Sequence, residues 1–250
     1  MGDPVRKLQA LPADPARSAC PLAICDGTGW ILGPEDVARP CECRERRVAR
    51  ARSRGVASVI PARYRGVSFD RPPISDLATE PRAASVVGEV RGYVETIEER
   101  IDSGAGLWLM GDVGTGKTSL AMLVSKAALE AGRTVAIYSL PRLLARIRRT
   151  YDAERGEQSY LEFFERLTSV DLLHVDDLGA EKRSDWVLEQ LYAIVNERYE
   201  AQRSIVVTTN LDPVALEEQI GVRTVSRLVE ICREPLRLSG DDLRYRPPAA

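Results

Sequence analysis

The stretch Gly111-Asp112-Val113-Gly114-Thr115-Gly116-Lys117-Thr118 satisfies every fixed position of the phosphate-binding loop G-x-x-x-x-G-K-[ST]. An apolar run at 107–110 predicts a buried strand before it, and an amphipathic segment at 118–131 predicts a helix after it. In such a loop, backbone N–H groups surround phosphate oxygens at a helix N-terminus. We therefore predict a nucleotide site in which Lys117 contacts the β- and γ-phosphates and Thr118 holds Mg²⁺. The alternative is a glycine-rich turn without a ligand, and the flanking strand and helix argue against it.

The composition is that of an ordinary globular protein. The 250 residues are 44% apolar and 29% charged, and 35 Lys and Arg against 37 Asp and Glu give a net charge of −2. Any basic surface for nucleic acid must therefore be local. No apolar run approaches the roughly 20 residues of a membrane helix, and residues 1–19 lack the apolar core of a signal peptide. We therefore expect a cytoplasmic protein without membrane contact. Because the cytoplasm is reducing, its five cysteines are expected to bind metal or to be buried thiols rather than to form disulfides.

From residue 81 onward, short apolar runs alternate with amphipathic segments, which predicts a parallel sheet flanked by helices. Besides the strand before the loop, we predict strands at 134–139, 170–175, 204–209 and 235–238. The predicted helices are 83–101, 118–131, 140–150, 160–167, 184–200, 214–219 and 224–232.

Two acids, Asp176 and Asp177, follow an apolar strand. Ligands bind at the carboxyl edge of open parallel sheets, so both acids should lie beside the phosphate loop. We predict that Asp176 orients Mg²⁺ through its water shell and that Asp177 polarises the attacking water as a general base. His174 lies within the same apolar strand and is interpreted as a packed core residue rather than a catalytic one.

Three further side chains are candidates for chemistry on the γ-phosphate. Asn210 ends the next strand and can position the attacking water, although a turn-forming asparagine is the alternative. Arg223 and Arg227 are four residues apart, and either can act on the nucleotide of a neighbouring subunit. The alternative for Arg227 is a simple ion pair with Glu230 on its own surface.

The N-terminal part contains the cysteines Cys20, Cys25, Cys41 and Cys43. Two cysteine pairs joined by a short loop suit tetrahedral Zn²⁺, whereas buried free thiols are the alternative. A basic stretch follows, with seven arginines and two glutamates between residues 39 and 54. It is either a solvated helix face or a contact for phosphates or an acidic partner. These patterns predict a flexible N-terminus at 1–19, a zinc-binding module with a basic helix at 20–55, a Pro-punctuated linker at 56–80 and a nucleotide-binding domain at 81–245.

Together these motifs resemble the AAA+ ATPases of the bacterial and phage helicase-loader group, DnaC and DnaI, and the related transposition helper IstB. The resemblance rests on 111–118 (Walker A), 172–177 (Walker B), 208–210 (sensor 1) and 223–227 (arginine-finger motif), supported by 177–182, 186–199 and 236–240. The four cysteines look like the zinc-bearing leaders of DnaC-like loaders. The resemblance implies an α/β fold. A small N-terminal zinc-binding module would be followed by an AAA+ P-loop NTPase domain, whose five-stranded parallel sheet has the strand order 5-1-4-3-2. Only about 20 residues follow Arg227, so we expect a reduced or absent helical lid.

The same resemblance implies roles for individual residues. The catalytic residues are Lys117, Asp177, Asn210 and Arg227. The nucleotide-binding residues are Gly111, Asp112, Val113, Gly114, Thr115, Gly116, Lys117, Thr118, Ser119 and Asp176, with Thr118 and Asp176 serving Mg²⁺. Arg146, Arg148 and Arg149, on the predicted helix 140–150, follow the backbone of single-stranded DNA. The departure from a full lid leaves the second-sensor arginine unassigned, with Arg233 and Arg237 as the two arginines that follow the finger motif most closely.

The implied function is that of an ATP-dependent loader for a DnaB-type replicative helicase in replication initiation. ATP, Mg²⁺ and Zn²⁺ are its expected cofactors, and single-stranded DNA, the helicase and further copies of the chain are its expected partners. Two alternatives remain open at this point. One is an IstB-like transposition helper, and the other is a nucleotide-switched regulator with little turnover.

Overall fold

The chain divides into two compact units, Met1–Val48 and Ala49–Ala250. The computed structural model describes residues 20, 22–33, 37–44, 60–151, 159–240 and 242–243. The predicted flexible N-terminus at 1–19 and the basic stretch after Arg44 lie outside these residues. Within the described ranges, no helix is both long enough and apolar enough to cross a membrane.

The smaller unit is built on a two-stranded antiparallel sheet of β1 (Trp30–Leu32) and β2 (Ala38–Pro40). Asp26 shapes the turn before β1, because its Oδ1 accepts a hydrogen bond from the Thr28 N–H at 3.0 Å. The Cys41 N–H donates to the Gly29 carbonyl at 2.9 Å, which brings the second cysteine pair beside the first. The Arg44 guanidinium lies 4.0 Å above the ring of Trp30, the first residue of β1.

The larger unit is an α/β domain. Its helices are α1 (Ile74–Thr79), α2 (Ala84–Glu95), α3 (Ile97–Asp102), α4 (Lys117–Glu130), α5 (Leu140–Tyr151), α6 (Tyr160–Ser169), α7 (Asp185–Glu200), α8 (Pro213–Ile220) and α9 (Val222–Cys232). Its strands are β3 (Leu107–Gly111), β4 (Val135–Ser139), β5 (Leu172–Asp176), β6 (Ser204–Thr209) and β7 (Leu236–Leu238).

These strands form one parallel sheet in the order β4-β5-β6-β3-β7. Counted within the domain, this is the predicted order 5-1-4-3-2, and each predicted strand is present within two residues of its expected bounds. Since all five strands run the same way, the phosphate loop after β3, the acids after β5 and the polar residues ending β6 meet at one edge.

Helices cover both faces of this sheet, which explains why its strands are apolar throughout rather than alternating. Along β3, Leu107 and Leu109 pack into one buried cluster, while Trp108 and Met110 pack into the other. The first cluster includes residues of α2 and α4, and the second includes residues of α5, α6 and α7. The sheet is thereby fixed between two apolar layers, and its carboxyl edge is a rigid platform for the site.

The structure corrects one predicted helix. The segment 83–101 forms two helices, α2 and α3, instead of one. They meet at Thr96, whose backbone lies at φ −111° and ψ 28° and whose Oγ1 donates to the Gly92 carbonyl at 2.9 Å. A threonine that bonds back to the preceding turn bends a helix, and the apolar period does not reveal this.

The predicted linker also differs from the structure. Residues 62–64 form a short 3₁₀ helix, and α1 follows after a further bend. Val67, Ile74 and Leu77 are buried and pack in the same apolar layer as α2 and α4. The segment 62–79 is therefore part of the larger unit rather than a linker. The sequence of this segment did not reveal the packing, because its few buried apolar residues are separated by prolines and polar residues. The other predicted domain boundaries stay predictions.

Candidate functional site

The phosphate loop connects β3 to α4 in a conformation that depends on glycine. Gly114 and Gly116 have φ angles of 80° and 97°, in the left-handed region that costs little only for glycine. A Cβ on Gly116 would also lie 2.7 Å from Leu77 Cδ1, so a side chain there would collide with α1. Thr115 Oγ1 donates to the Asp112 carbonyl at 2.9 Å and closes the loop.

Lys117 is the first residue of α4, and its side chain turns back into this loop. It is 6% exposed, and its Nζ donates to the carbonyl oxygens of Gly111, at 2.8 Å, and Asp112. The ammonium group is thus fixed inside the concave side of the loop. From this position it can exchange carbonyl contacts for phosphate oxygens.

Asp176 and Thr118, the predicted Mg²⁺ residues, lie side by side. Thr118 Oγ1 donates to Asp176 Oδ1 at 2.9 Å, although the residues are 58 positions apart in sequence. A carboxylate and a hydroxyl are hard oxygen donors of the kind that Mg²⁺ takes together with water and phosphate oxygens. The pair therefore fits Mg²⁺.

Thr208 is a residue of this site that the sequence reasoning did not single out. Its Oγ1 donates to Asp176 Oδ1 at 2.7 Å and accepts from the Asp177 N–H at 3.0 Å. The residue is 1% exposed, in β6 directly beside β5. In the sequence it appears only as the first residue of the motif 208–210, in which Asn210 alone was given a role, since a threonine in a strand is otherwise an ordinary strand residue.

Asp177 has a strained backbone, with φ at +60°, which is uncommon for a residue with a side chain. Neighbouring contacts hold it there: besides the Thr208 hydroxyl, the Leu178 N–H donates to the Thr208 carbonyl at 2.8 Å. Asn210 Nδ2 donates to Asp177 Oδ1 at 3.2 Å. Asp176 accepts from Thr118 and Thr208, whereas Asp177 accepts from Asn210, so the two acids have different surroundings and can serve different purposes.

Eight of the predicted site residues line one cavity of about 840 Å³, a size that suits a small-molecule ligand. One wall consists of the phosphate loop with Lys117, Thr118, Asp177 and Asn210. The opposite wall comes from outside the predicted domain, and its residues are Arg63, Tyr64, Gly66, Val67, Pro72, Pro73 and Asp76. Leu243 completes the cavity, and its N–H donates to the Gly114 carbonyl at 3.1 Å.

His174 agrees with its interpretation as a core residue. It is fully buried, and its Nδ1 lies 2.8 Å from the Ser125 hydroxyl. Burial lowers the pKa of its imidazole to about 4, so the side chain is neutral at physiological pH. Its contact with α4 lies beneath the site rather than in it.

The four cysteines of the smaller unit form one cluster. Their sulfur atoms all lie within 4.8 Å of one another, with 3.9 Å between Cys20 and Cys41 and 3.5 Å between Cys25 and Cys43. In a tetrahedral site with Zn–S bonds of about 2.3 Å, neighbouring sulfurs are about 3.8 Å apart. The cluster therefore has the donor type, number and spacing of a structural zinc site.

The environment of these thiols also favours a bound cation. Hydrogen bonds from backbone groups, above all that of Cys25, lower the pKa of the Cys20 thiol. Burial raises the pKa of the Cys43 thiol. Four thiolates cannot form together at this spacing without a compensating positive charge. A divalent metal supplies that charge, since the thiolate is the form that binds it.

The predicted arginines lie elsewhere on the larger unit. Arg227 pairs with Glu230 at 2.9 Å, and its guanidinium lies 4.1 Å above the Tyr199 ring. Arg223, one turn earlier on α9, is exposed. Arg146, Arg148 and Arg149 are exposed on α5, where Arg146 lies over Phe163 and Arg148 over Trp186.

A parallel sheet in this order, with a phosphate loop after its first strand, an acid pair after the third and a polar residue after the fourth, defines an AAA+ P-loop nucleotide-binding protein. Residues 96–227, just over half of the chain, match the family described as IstB-like ATP binding protein, and the chain belongs to that family.

Curated relatives and a solved structure agree with this assignment. The replicative helicase loader DnaC of Buchnera aphidicola (Schizaphis graminum) is 27% identical over 145 residues, which are 57% of this chain and 56% of that protein. The insertion sequence ATP-binding protein y4pL of Sinorhizobium fredii is 32% identical over 149 residues, 58% of each chain. The crystal structure of the DnaC helicase loader matches with a TM-score of 0.60 at 25% identity, covering 72% of this chain and 99% of that one. The chain thus spans little more than half the length of these curated relatives.

Proposed function

We propose that this chain is an ATP-dependent loader of a replicative helicase and that it acts in the cytoplasm during initiation of DNA replication. It binds ATP with Mg²⁺, associates with single-stranded DNA and with copies of itself, and delivers a DnaB-type helicase. The observation that carries this proposal is the four-thiol cluster in a unit of its own, joined to an AAA+ ATP-binding domain. ATP chemistry does not need such a module, so its use is recognition of a partner.

Hydrolysis of ATP follows from the positions of the site residues. Lys117 and the loop amides would hold the β- and γ-phosphates, and Thr118 and Asp176 would hold Mg²⁺, which supplies charge neutralisation when bound. Asn210 donates to one oxygen of Asp177, which leaves the second carboxylate oxygen and the amide oxygen to orient a water. Asp177 then accepts the proton of that water as it attacks, a step that contributes about 10²–10⁴ in rate.

The zinc-binding module supplies the contact with the helicase. Its exposed apolar side chains include Ile24, Trp30, Leu32 and Val37, an unusual density for so small a unit. Zinc would hold Cys20, Cys25, Cys41 and Cys43 together and so keep this surface in shape. Loss of the metal should therefore abolish helicase binding while leaving the nucleotide site intact.

The test uses the full chain and the replicative helicase of the source cell. Size-exclusion chromatography should show a complex with the wild-type chain and none with Cys41→Ser, although both bind ATP equally. ATP hydrolysis should rise on addition of single-stranded DNA and disappear in Lys117→Ala. A zinc-free wild-type chain that still binds the helicase, or a Lys117→Ala chain with full turnover, would refute the proposal.

A transposition helper is the second candidate function, favoured by the y4pL match and by the family description. In that case the same ATPase would bind a transposase instead of a helicase. Complex formation with the transposase encoded beside it, and none with the helicase, would decide for this candidate. A chain that binds ATP but hydrolyses none, with or without DNA, would instead be a nucleotide-switched regulator.

A further inference from the structure

The cavity wall opposite the phosphate loop has few anchors of its own. The regular structure between residues 62 and 73 is a single 3₁₀ helix (Ala62–Tyr64), and the one fully covered side chain of this stretch is Val67. Val67 packs in the apolar layer of α2 and α4. A segment with so little buried apolar surface opens easily, so its position depends on polar contacts to the rest of the domain.

Lys126 of α4 supplies such a contact. Its Nζ donates to the Val67 carbonyl at 3.2 Å, across 59 positions of the sequence. The Val67 N–H donates to the Tyr64 carbonyl at 3.1 Å. Val67 is thus held by its own turn through the N–H and by α4 through the carbonyl. A cation suits this place, because carbonyl groups at the end of a helical turn carry partial negative charge.

Lys126 makes this contact far from the place where the phosphates bind. It follows Lys117 by nine residues, which is about 14 Å along a helix that rises 1.5 Å per residue. Helix α4 itself is fixed in the domain, because Leu120 and Val124 are completely buried in the apolar layer. The contact therefore ties the wall to the same rigid helix that begins with Lys117.

We propose that Lys126 is a positioning residue for ATP. Through the Val67 carbonyl it sets the distance between the phosphate loop and the opposite wall, where Arg63, Tyr64, Gly66 and Val67 line the cavity. Because the loop holds the phosphates, this wall is left for the nucleoside. Lys126 thus acts on the nucleoside end of ATP without touching the nucleotide. This inference rests on the ATP binding of the proposed function.

The test compares two ligands that share the phosphate chain: β,γ-methylene-ATP and inorganic tripolyphosphate, both with Mg²⁺. Isothermal titration calorimetry of the full chain should show that Lys126→Met raises the Kd of the ATP analogue about three- to tenfold, the effect of one lost hydrogen bond. The Kd of tripolyphosphate should stay unchanged, because this ligand has no nucleoside to meet the wall. Lys126→Arg is the matched control, since it keeps a cationic donor and should bind both ligands like wild type.

Two further measurements separate positioning from a general loss of structure. In Lys126→Met the KM for ATP should rise while turnover at saturating ATP stays within about twofold of wild type, as expected when only uniform binding is lost. Hydrogen exchange of a peptide that covers residues 62–67 should be faster in Lys126→Met than in wild type. The free energy of unfolding, measured with urea, should be nearly the same for the two chains.

The outcomes also separate this inference from the proposed function. Equal weakening of the ATP analogue and of tripolyphosphate would mean that Lys126 merely attracts phosphates by its charge, which contradicts the inference. An unchanged Kd of the analogue in Lys126→Met, or the same loss in Lys126→Arg, would contradict it as well. Failure of the wild-type chain to bind either ligand would overturn the inference and the ATP binding of the proposed function together. A chain that binds ATP but no helicase would overturn the helicase part alone.

Discussion

Replacing Thr208 by valine should damage both stability and turnover, although the two side chains have nearly the same shape. The Thr208 hydroxyl makes two contacts inside the sheet: it donates to Asp176 Oδ1 at 2.7 Å and accepts from the Asp177 N–H at 3.0 Å. Valine can make neither contact. It fills the same space, so no cavity accompanies the loss.

The size of the effect follows from these two bonds. A hydrogen bond to a charged carboxylate contributes about 1.5–3 kcal/mol, and an unpaired buried N–H costs about 1–3 kcal/mol. Thr208→Val should therefore lower the free energy of unfolding by about 3–5 kcal/mol. Turnover should fall as well, by about 10- to 100-fold, because Asp176 loses one of the hydroxyls that orient it and Asp177 loses the anchor of its strained backbone.

Urea unfolding followed by circular dichroism measures the stability, and phosphate release at saturating ATP measures turnover. Thr208→Ser is the control, since it keeps the hydroxyl and loses only a methyl group. It should retain most of the stability and most of the turnover. If Thr208→Val stayed within about 1 kcal/mol of the wild-type chain and hydrolysed ATP normally, the bridging role of Thr208 would be wrong.

Four further predictions test the other parts of the molecule. Asp177→Asn should bind ATP like wild type in equilibrium dialysis but lose about 10²–10⁴ in turnover; equal losses in binding would contradict its role as a base. Metal analysis should find about one zinc per wild-type chain and none in Cys41→Ser; a zinc content unchanged by the substitution would exclude the four-thiol site. Arg198 is fully buried and donates to the carbonyls of Val170 at 2.9 Å and Ser204 at 2.6 Å. Methionine cannot donate these hydrogen bonds, so Arg198→Met should lower the free energy of unfolding by at least about 3 kcal/mol. Urea unfolding measures this difference. Arg227→Ala and Lys117→Ala chains should each be almost inactive alone, since an arginine finger in trans contributes about 10³–10⁵ in rate. Mixing the two should restore turnover where Arg227 of one chain meets the intact nucleotide site of the other. Full activity of Arg227→Ala alone would exclude Arg227 as the finger.

The sequence predicts the sheet edge of the site better than its opposite wall, and the reason is physical. A phosphate loop, an acid pair after a strand and an asparagine after the next strand are local patterns, and parallel strands bring their ends together whatever the rest of the chain does. The wall formed by residues 63–76 depends instead on Val67, Ile74 and Leu77 reaching the α2 and α4 layer. Three apolar residues among prolines carry no period, so the segment resembled a linker. Thr208 was given no role for a related reason, because both partners of its hydroxyl, Asp176 and Asp177, lie at the end of another strand.

The surroundings of Arg227 bear on how this ATPase would work as an assembly. Within one chain, Arg227 donates to Glu230, and the Tyr199 hydroxyl donates to the other oxygen of the same carboxylate at 2.6 Å. The hydrogen bond from Tyr199, helped by Arg227, lowers the pKa of Glu230 and keeps the carboxylate ionised. The Arg227–Glu230 ion pair was the alternative to a role of Arg227 as an arginine finger. The ion pair and the finger role are compatible, because exposed ion pairs contribute little stability and are easily exchanged. During hydrolysis, negative charge develops on the γ-phosphate. In an interface without water, this charge attracts a guanidinium far more strongly than a solvated carboxylate does. If Arg227 acts as a finger, Tyr199 and Glu230 would hold its side chain in place until the nucleotide of a neighbouring subunit takes it over.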